Sequence, residues 1–318
     1  MYIRQINITN IRSFKNLRVL LPLRGWNVII GDNGSGKSTF LRSTALALAG
    51  PKEAVALRQD WKNWLRWKTD AGEVSLWCKP ELVWDKFAGK GKAADNFLFV
   101  RLGFERKEET VEISKQPRYS EARSGARKFR PATHIWSGKS GWFSAAYGPF
   151  RRFAGGDKDS EKLFYSNPRL AAHLSVFGEE IALTECIYWL QDLKFKQLEG
   201  DPEGALLDLV IKFVNQEDFL PHQAQLTEVS SKGVEFIDGN GCRLPVEELS
   251  DGYRSILSMT FELIRQMARA YAPKSIFDPP PCLGQSVIED SLVQIESSAT
   301  KGLRRFGLWG NASSPRKT

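Results

Sequence analysis

The feature that most constrains this chain is the run Gly31-Asp32-Asn33-Gly34-Ser35-Gly36-Lys37-Ser38, which fits the spacing Gly, four residues, Gly-Lys-Ser/Thr. Before it, Val28, Ile29 and Ile30 form a short apolar run with the pattern of a buried parallel strand. After it, "STFLRSTALALAG" is rich in Leu and Ala and is stopped by Gly50 and Pro51, as a helix would be. Glycines so placed let backbone N–H groups face a phosphate. Lys37 then reaches the β/γ-phosphates, and the Ser38 hydroxyl offers a magnesium ligand. The helix N-terminus adds partial positive charge at the same point. A chance match in a glycine-rich turn would not place strand, loop and helix in this order. A second Gly-Lys-Ser, at 138–140, fails that test: Thr133 stands where the first glycine is needed, and no apolar strand precedes it.

A chain of 318 residues suffices for one or two domains with a sizeable core, and 42% hydrophobic with 26% charged residues is ordinary globular composition. No apolar run reaches the ~18 residues that a membrane span requires. The opening "MYIRQINITNIRSF" alternates like a strand rather than forming a signal-peptide core, so the cytoplasm is expected. Cys78, Cys186, Cys242 and Cys282 are scattered, with no Cys-x-x-Cys pair to suggest zinc or a disulfide framework. His134, His173 and His222 lie far apart and read as surface or packing residues. The net charge of +8 is partly clustered: Lys115, Arg118, Arg123, Arg127, Lys128 and Arg130 share their stretch with one acid, Glu121, and Arg151–Arg152 follow beside aromatics. A solvated loop explains such a run; contact with nucleic-acid phosphates is the second explanation.

Along the chain, "YIRQINI" and "LRVLLPL" read as strands, and 52–68 reads as a helix presenting Leu57, Trp61, Trp64 and Leu65 on one packing face. Strand patterns at 72–78, 96–106 and 110–114 suggest an antiparallel sheet beside the phosphate loop. From Ser160 to about Phe219 the pattern is helical, with "GEEIALTECIYWLQDLKFKQL" the clearest amphipathic segment. "GVEFIDGNGCRLPVEEL" reads as a hairpin turning at Gly-Asn-Gly. It leads into "ELSDGYRSILSMTFELIRQMARAY", a helix capped by Ser250 or Asp251 whose buried stripe is Ile256, Thr260, Leu263, Ile264 and Met267.

Alone, Leu-Ser-Asp-Gly is common turn chemistry; downstream of a phosphate loop it is far more specific. Together the two motifs resemble the ABC-type ATPases, and most of all their RecF-like and SMC-like soluble branch. That branch includes ATPases of the overcoming-lysogenisation-defect and Septu defence groups. "LSDGYRS" at 249–255 fits the branch's signature, "ITNIRSFKNLRV" at 8–19 resembles its opening strand, "GDNGSGKST" matches its phosphate loop, and "GWFSAAYGPFRRF" resembles a stretch of the defence ATPases. The resemblance covers residues 1–272.

It implies an α/β P-loop NTPase fold of ABC type: a mixed sheet with a flanking antiparallel sheet and a helical lobe. The nucleotide-binding lobe would span 1–155, and the helical lobe, hairpin and signature helix 156–272. A further 273–318 form an atypical tail. ATP and Mg2+ are the implied cofactors, held by Gly31, Asp32, Asn33, Gly34, Ser35, Gly36, Lys37, Ser38 and Thr39 with Arg12 close by, Ser38 being the metal ligand. In the family two heads sandwich two ATP molecules, so Ser250 and Gly252 of one copy would contact ATP held by another, giving a homodimer. The family's magnesium-sensing glutamine has no clear counterpart: Gln59 falls in the expected helix and Gln116 in the basic run.

The family also carries four apolar residues ending in Asp-Glu after the signature helix, then a histidine: the aspartate holds magnesium through water, the glutamate orients or activates the attacking water, and the histidine touches the γ-phosphate. Here Asp278 follows only Ile276 and Phe277 and precedes prolines; Glu289, the remaining candidate acid, sits in "SVIEDS" in reversed order with Asp290; and no histidine follows His222. Two explanations stand: a truncated or frameshifted family member, or an ATPase that binds nucleotide as a switch without hydrolysing it. The sequence-level expectation is an ATP-binding head that dimerises on ATP and acts with DNA, or with a nuclease or effector partner, in DNA repair or phage defence. Its rival is a non-hydrolysing interaction module. A transporter subunit is disfavoured, since about two hundred residues separate the phosphate loop from the signature and no partner-docking helix is recognisable.

Overall fold

The computed structural model describes residues 1–21, 27–57, 60–81, 85, 97–114, 135–136, 142–148, 168–177, 185–217 and 219–271. They fall into two compact units, Met1–Gly148 with Asp157–Glu179, and Pro149–Gly156 with Glu180–Thr318. The chain is a mixed α/β protein whose described sheets are both antiparallel.

Alternation of buried and outward-facing residues builds the first sheet. Strands β1 (Tyr2–Ile11), β2 (Phe14–Leu20), β3 (Ala71–Lys79), β4 (Leu98–Lys107) and β5 (Thr110–Ile113) pair in the order β2-β1-β3-β4-β5. Register sets Ile6 opposite Val19 and Leu76, and Val74 opposite Ile8 and Leu102. Strands β1, β3 and β4 therefore send alternate side chains to one buried face: Ile6, Ile8, Val74, Leu76, Cys78, Leu98, Val100, Leu102 and Phe104 are all at most 2% exposed. Helix α1 (Lys37–Ala49) covers that face with Phe40, Leu41, Ala45, Leu46 and Leu48. Each large apolar side chain so buried contributes about 1.5–3 kcal/mol.

The antiparallel sheet is where the alternation placed it. The helix expected over 52–68 is not: α2 ends after six residues, Pro51–Ala56. Beyond it Asp60 accepts a hydrogen bond from the Lys62 backbone N–H (2.8 Å), the Trp64 carbonyl accepts one from Arg12 (2.8 Å), and Leu65 bridges to Ile11. The side-chain-to-backbone turn at Asp60 and the tie to β1 outcompete helical periodicity. Trp61, Trp64 and Leu65 still reach the core from this turn, with Trp64 stacked on Phe104 at 5.8 Å and 10°. The parallel strand expected at Val28–Ile30 is a second correction. Residues 27–30 pair with no described strand, and Val28 and Ile30 are 68% and 90% exposed. An apolar run becomes a buried strand only where neighbours supply a ladder, and no described strand supplies one here.

His173 is the packing residue its isolation in sequence suggested. Its Nδ1–H donates to the Arg169 carbonyl (2.9 Å), in the short helix α3 (Pro168–Ala171). This leaves Nε2 to accept from the Ser144 hydroxyl (3.1 Å). Complete burial pushes its pKa down to about 4.

In the second unit, α4 (Glu185–Glu199) and α5 (Ala205–Val214) precede a sheet of β6 (Gln225–Ser230), β7 (Gly233–Ile237) and β8 (Arg243–Pro245). The expected hairpin is β7–β8; Asp238 organises its turn by accepting from the N–H groups of Asn240 (2.9 Å) and Cys242 (2.8 Å). Strand β6 was not legible beforehand. It exists by pairing with β7, and Asn215 holds its start by exchanging two hydrogen bonds with the Leu226 backbone. Helix α6 (Asp251–Ala270) buries Leu257, Thr260, Phe261, Leu263, Ile264 and Met267. Within its buried stretch Arg265 grips both oxygens of Glu262 (2.7 and 2.8 Å), and Gln266 donates a third bond (2.6 Å). These bonds satisfy a charge pair that burial would otherwise penalise. Cys78 and Cys186 are buried and Cys242 exposed, with no disulfide among the described residues.

The basic run 115–130, Arg151–Arg152, the second Gly-Lys-Ser, Gln59, Gln116, His134, Asp278, Cys282, Glu289 and Asp290 lie outside the described residues.

Candidate functional site

The phosphate loop crosses from 31 to the start of α1. Gly34 and Gly36 adopt φ +83° and +100°, left-handed values that favour glycine. At Gly36 a side chain is also excluded by space: a Cβ there would stand 2.7 Å from the Phe14 ring and 2.7 Å from Ser13 Oγ. The tip of the β1–β2 hairpin thus lies against the last glycine of the loop. The tip is itself braced, since Arg66 donates to the Ser13 carbonyl (2.8 Å) and its backbone N–H donates to Asn10 (3.0 Å). No side chain caps α1 at Gly36, so its first N–H groups remain available to an anion.

Charge converges on the same place. The Lys37 ammonium donates to the carbonyls of Gly31 and Asp32 (2.8 Å to Asp32), turning back over the loop. Arg12, at φ +45°, lays its guanidinium over Trp64 at 4.8 Å. Burial, and then the nearby charge of Arg42, lower the Arg12 pKa from its ordinary value. Two neighbouring guanidiniums, with no carboxylate ion-paired to either among the described residues, suit an anionic ligand. Arg42 is fixed by donating from Nε to the Val176 carbonyl (2.8 Å).

Gly31, Asp32, Asn33, Gly34, Ser35 and Ser38 are solvent-exposed, with the Ser38 hydroxyl one residue past Lys37, and Thr39 is buried beneath them. These residues, Arg12 included, come together as one surface. Arg42 and Arg66 were missed. Arg42 could have been suspected as the one charged residue of α1 besides Lys37, four residues beyond Ser38; Arg66 has no sequence signal.

Ser250 and Gly252 belong to the second unit. Ser250 precedes α6 as expected, yet its side chain makes no cap bond; Ser250, Asp251 and Gly252 are exposed, and a Cβ on Gly252 would meet nothing within 4 Å. The residues that follow hold this helix start firmly. Tyr253 donates to the Pro221 carbonyl (2.7 Å), and Arg254 donates to the Glu247 carbonyl (3.1 Å) and pairs with Asp251. Burial, and secondarily Asp238, raise the Tyr253 pKa, which keeps its hydroxyl a donor. Among the described residues, no cluster of His, Cys, Asp and Glu could hold a metal, so Ser38 is the one expected metal ligand that can be placed.

Residues 5–140 match the family model of the AAA domain. The match begins in β1, contains the phosphate loop and ends past β5. No curated protein matches the sequence. Among solved structures, the recombination mediator RecF with ATP is similar at 11% identity, covering 85% of this chain and 83% of its own, with a TM-score of 0.38. A structure concerned with ATP-driven dimerization and DNA stimulated activation of SMC ATPases is similar at 20% identity over 36% of this chain and 69% of its own, with a TM-score of 0.28. Likeness this remote assigns no residue a role. No helix among the described residues is long and apolar enough to cross a membrane.

Proposed function

We propose that this chain is an ATP-binding head that holds Mg-ATP on its phosphate loop, dimerises around it, and acts on DNA. The observation that carries the reading is the loop itself, where positive-φ glycines, an uncapped helix start and the cations Lys37, Arg12 and Arg42 converge. The β- and γ-phosphates fit the loop N–H groups and Lys37; Ser38 supplies the magnesium ligand. The bound ion would neutralise phosphate charge at that point.

The second half of the reading concerns two copies. Ser250 and Gly252 present an exposed, uncapped helix start, which suits the terminal phosphate held by another head. The resemblance of "LSDGYRS" to the ABC signature implies that exchange. A DNA role in repair or phage defence, with a separate nuclease, follows from the same resemblance and from the net charge of +8.

Mass by light scattering tests the assembly. ATP with magnesium should double the mass of the parent protein. Ser250→Arg should bind ATP with the parent's affinity yet stay monomeric. An unchanged parent mass, or a dimer of the variant, would remove the two-copy role.

A further inference from the structure

The sheet has a second face, and its chemistry differs from that of the buried one. Away from α1, register sets Gln5 opposite Trp77 and Trp77 opposite Phe99, while Tyr2 pairs with Lys79. One row along, Arg18, Asn7, Ser75 and Arg101 succeed one another across four strands. Trp77 is 39% exposed and Phe97 47%, although rings of this size are normally covered. The Trp77 and Phe99 rings lie 4.9 Å apart, tilted by 54°, and the Lys79 ammonium stands 5.6 Å from the Phe97 centroid. Arg18 donates to the Gln5 side chain at 3.3 Å, and Arg101 pairs with Glu73. Aromatic rings and cations therefore share one antiparallel face, on which Arg101 is neutralised by Glu73 while Arg18 and Lys79 flank the rings.

We propose that this face, centred on Trp77, Phe97 and Phe99 and flanked by Arg18 and Lys79, binds single-stranded nucleic acid. Bases stack on the exposed rings, and the two cations meet phosphates of the same strand. Charge complementarity selects this occupant. The buried centre of a protein–protein interface is depleted of lysine, whereas here Lys79 stands over the Phe97 ring. A duplex keeps its base faces stacked inward and offers none to Trp77; a single strand does. The proposal names a partner surface for the DNA role proposed above, and takes from that reading only the expectation of a nucleic-acid partner. The rings stand on the side of the sheet opposite the phosphate-loop helix, so the two sites can be tested apart.

The test is fluorescence anisotropy with a labelled oligothymidine and with a duplex of equal length. Trp77→Ala should weaken oligothymidine binding about fivefold or more, the scale of one lost stacking contact, and Trp77→Phe should recover most of it. Phe97→Ala, a second exposed position, should act in the same direction. Lys79→Gln should reduce the slope of log affinity against log salt by about 0.7, one phosphate's share for a single strand. Duplex binding and ATP affinity should be unchanged in Trp77→Ala, so that failure of the platform is distinguishable from failure of the nucleotide site. The proposal is overturned if both alanine variants bind oligothymidine as the parent does, the result expected of a protein-docking face. It is equally overturned if single-strand and duplex binding fall together.

Discussion

Among the described helices that begin without a side-chain cap are α1 at Lys37 and α6 at Asp251, and their surroundings differ sharply. The first is enclosed: Gly36 is pressed against Phe14 and Ser13, Lys37 is turned over the loop, and Arg12 stands on Trp64. The second is bare, with Ser250 and Gly252 open to solvent and only the residues behind them tied down. A helix start with walls is a pocket by itself. One without walls needs another molecule to become a site.

Acid should separate the two regions most strongly. His173 is neutral in the fold, with its pKa pushed down to about 4 by burial against the opposing hydrogen bond to the Arg169 carbonyl. The unfolded chain binds a proton near pH 6.5, and the folded one does not until about 4. The stabilisation is therefore whole above pH 6.5 and is lost as pH falls from 6.5 to 4, by up to about 3 kcal/mol. Val176, whose carbonyl holds Arg42 of α1, is three residues from His173, so this loss strikes the support of the phosphate loop. Hydrogen exchange against pH should find the first unit opening before the α6 region, and His173→Gln should flatten that acid limb.

Lys37→Ala comes next. It removes the ammonium expected at the β/γ-phosphates and should weaken ATP binding by about a hundredfold in calorimetry, the scale of one or two charge-assisted hydrogen bonds. Equal affinities would dismiss the enclosed helix start as a nucleotide site.

The smallest effects come from one methyl group added at each start. Gly36→Ala forces a Cβ into Phe14 and Ser13 at φ +100°, and should cost about 1–2 kcal/mol in stability. Gly252→Ala meets nothing within 4 Å and should leave the unfolding midpoint and monomer ATP affinity within error, weakening only the ATP-driven dimer. Matching effects in thermal melts would erase the distinction between walled and bare.

The first sheet was legible because each of its strands alternates and a one-residue slip would turn Ile6, Val74 and Leu102 outward. The phosphate loop was legible because glycine spacing is a direct statement about backbone conformation, and Gly34 and Gly36 take the φ values that demand it. What sequence did not show is whatever depends on a neighbour. The apolar run at Val28–Ile30 says what it could bury, not what covers it. The indoles of Trp61 and Trp64 reach the core from a turn as well as they would from a helix. Strand β6 had no alternation strong enough to announce itself and follows from its pairing with β7. In the candidate site, Arg42 could be suspected as a cation on α1, but the Val176 carbonyl that fixes it lies far away in sequence and could not.

The turn of Lys37 over its own loop carries a consequence for selectivity. Its ammonium is already engaged by the Gly31 and Asp32 carbonyls, so a ligand does not capture an idle cation but must outbid two acceptors for it. A molecule bringing a single phosphate at the far end of the loop would exchange like for like and gain little. One whose chain of phosphates extends to the ammonium offers full negative charge in place of two dipoles, and for it the exchange is favourable. The resting posture of one lysine would thereby make the loop a counter of phosphates, with nucleoside monophosphates turned away before any feature of base or sugar is consulted.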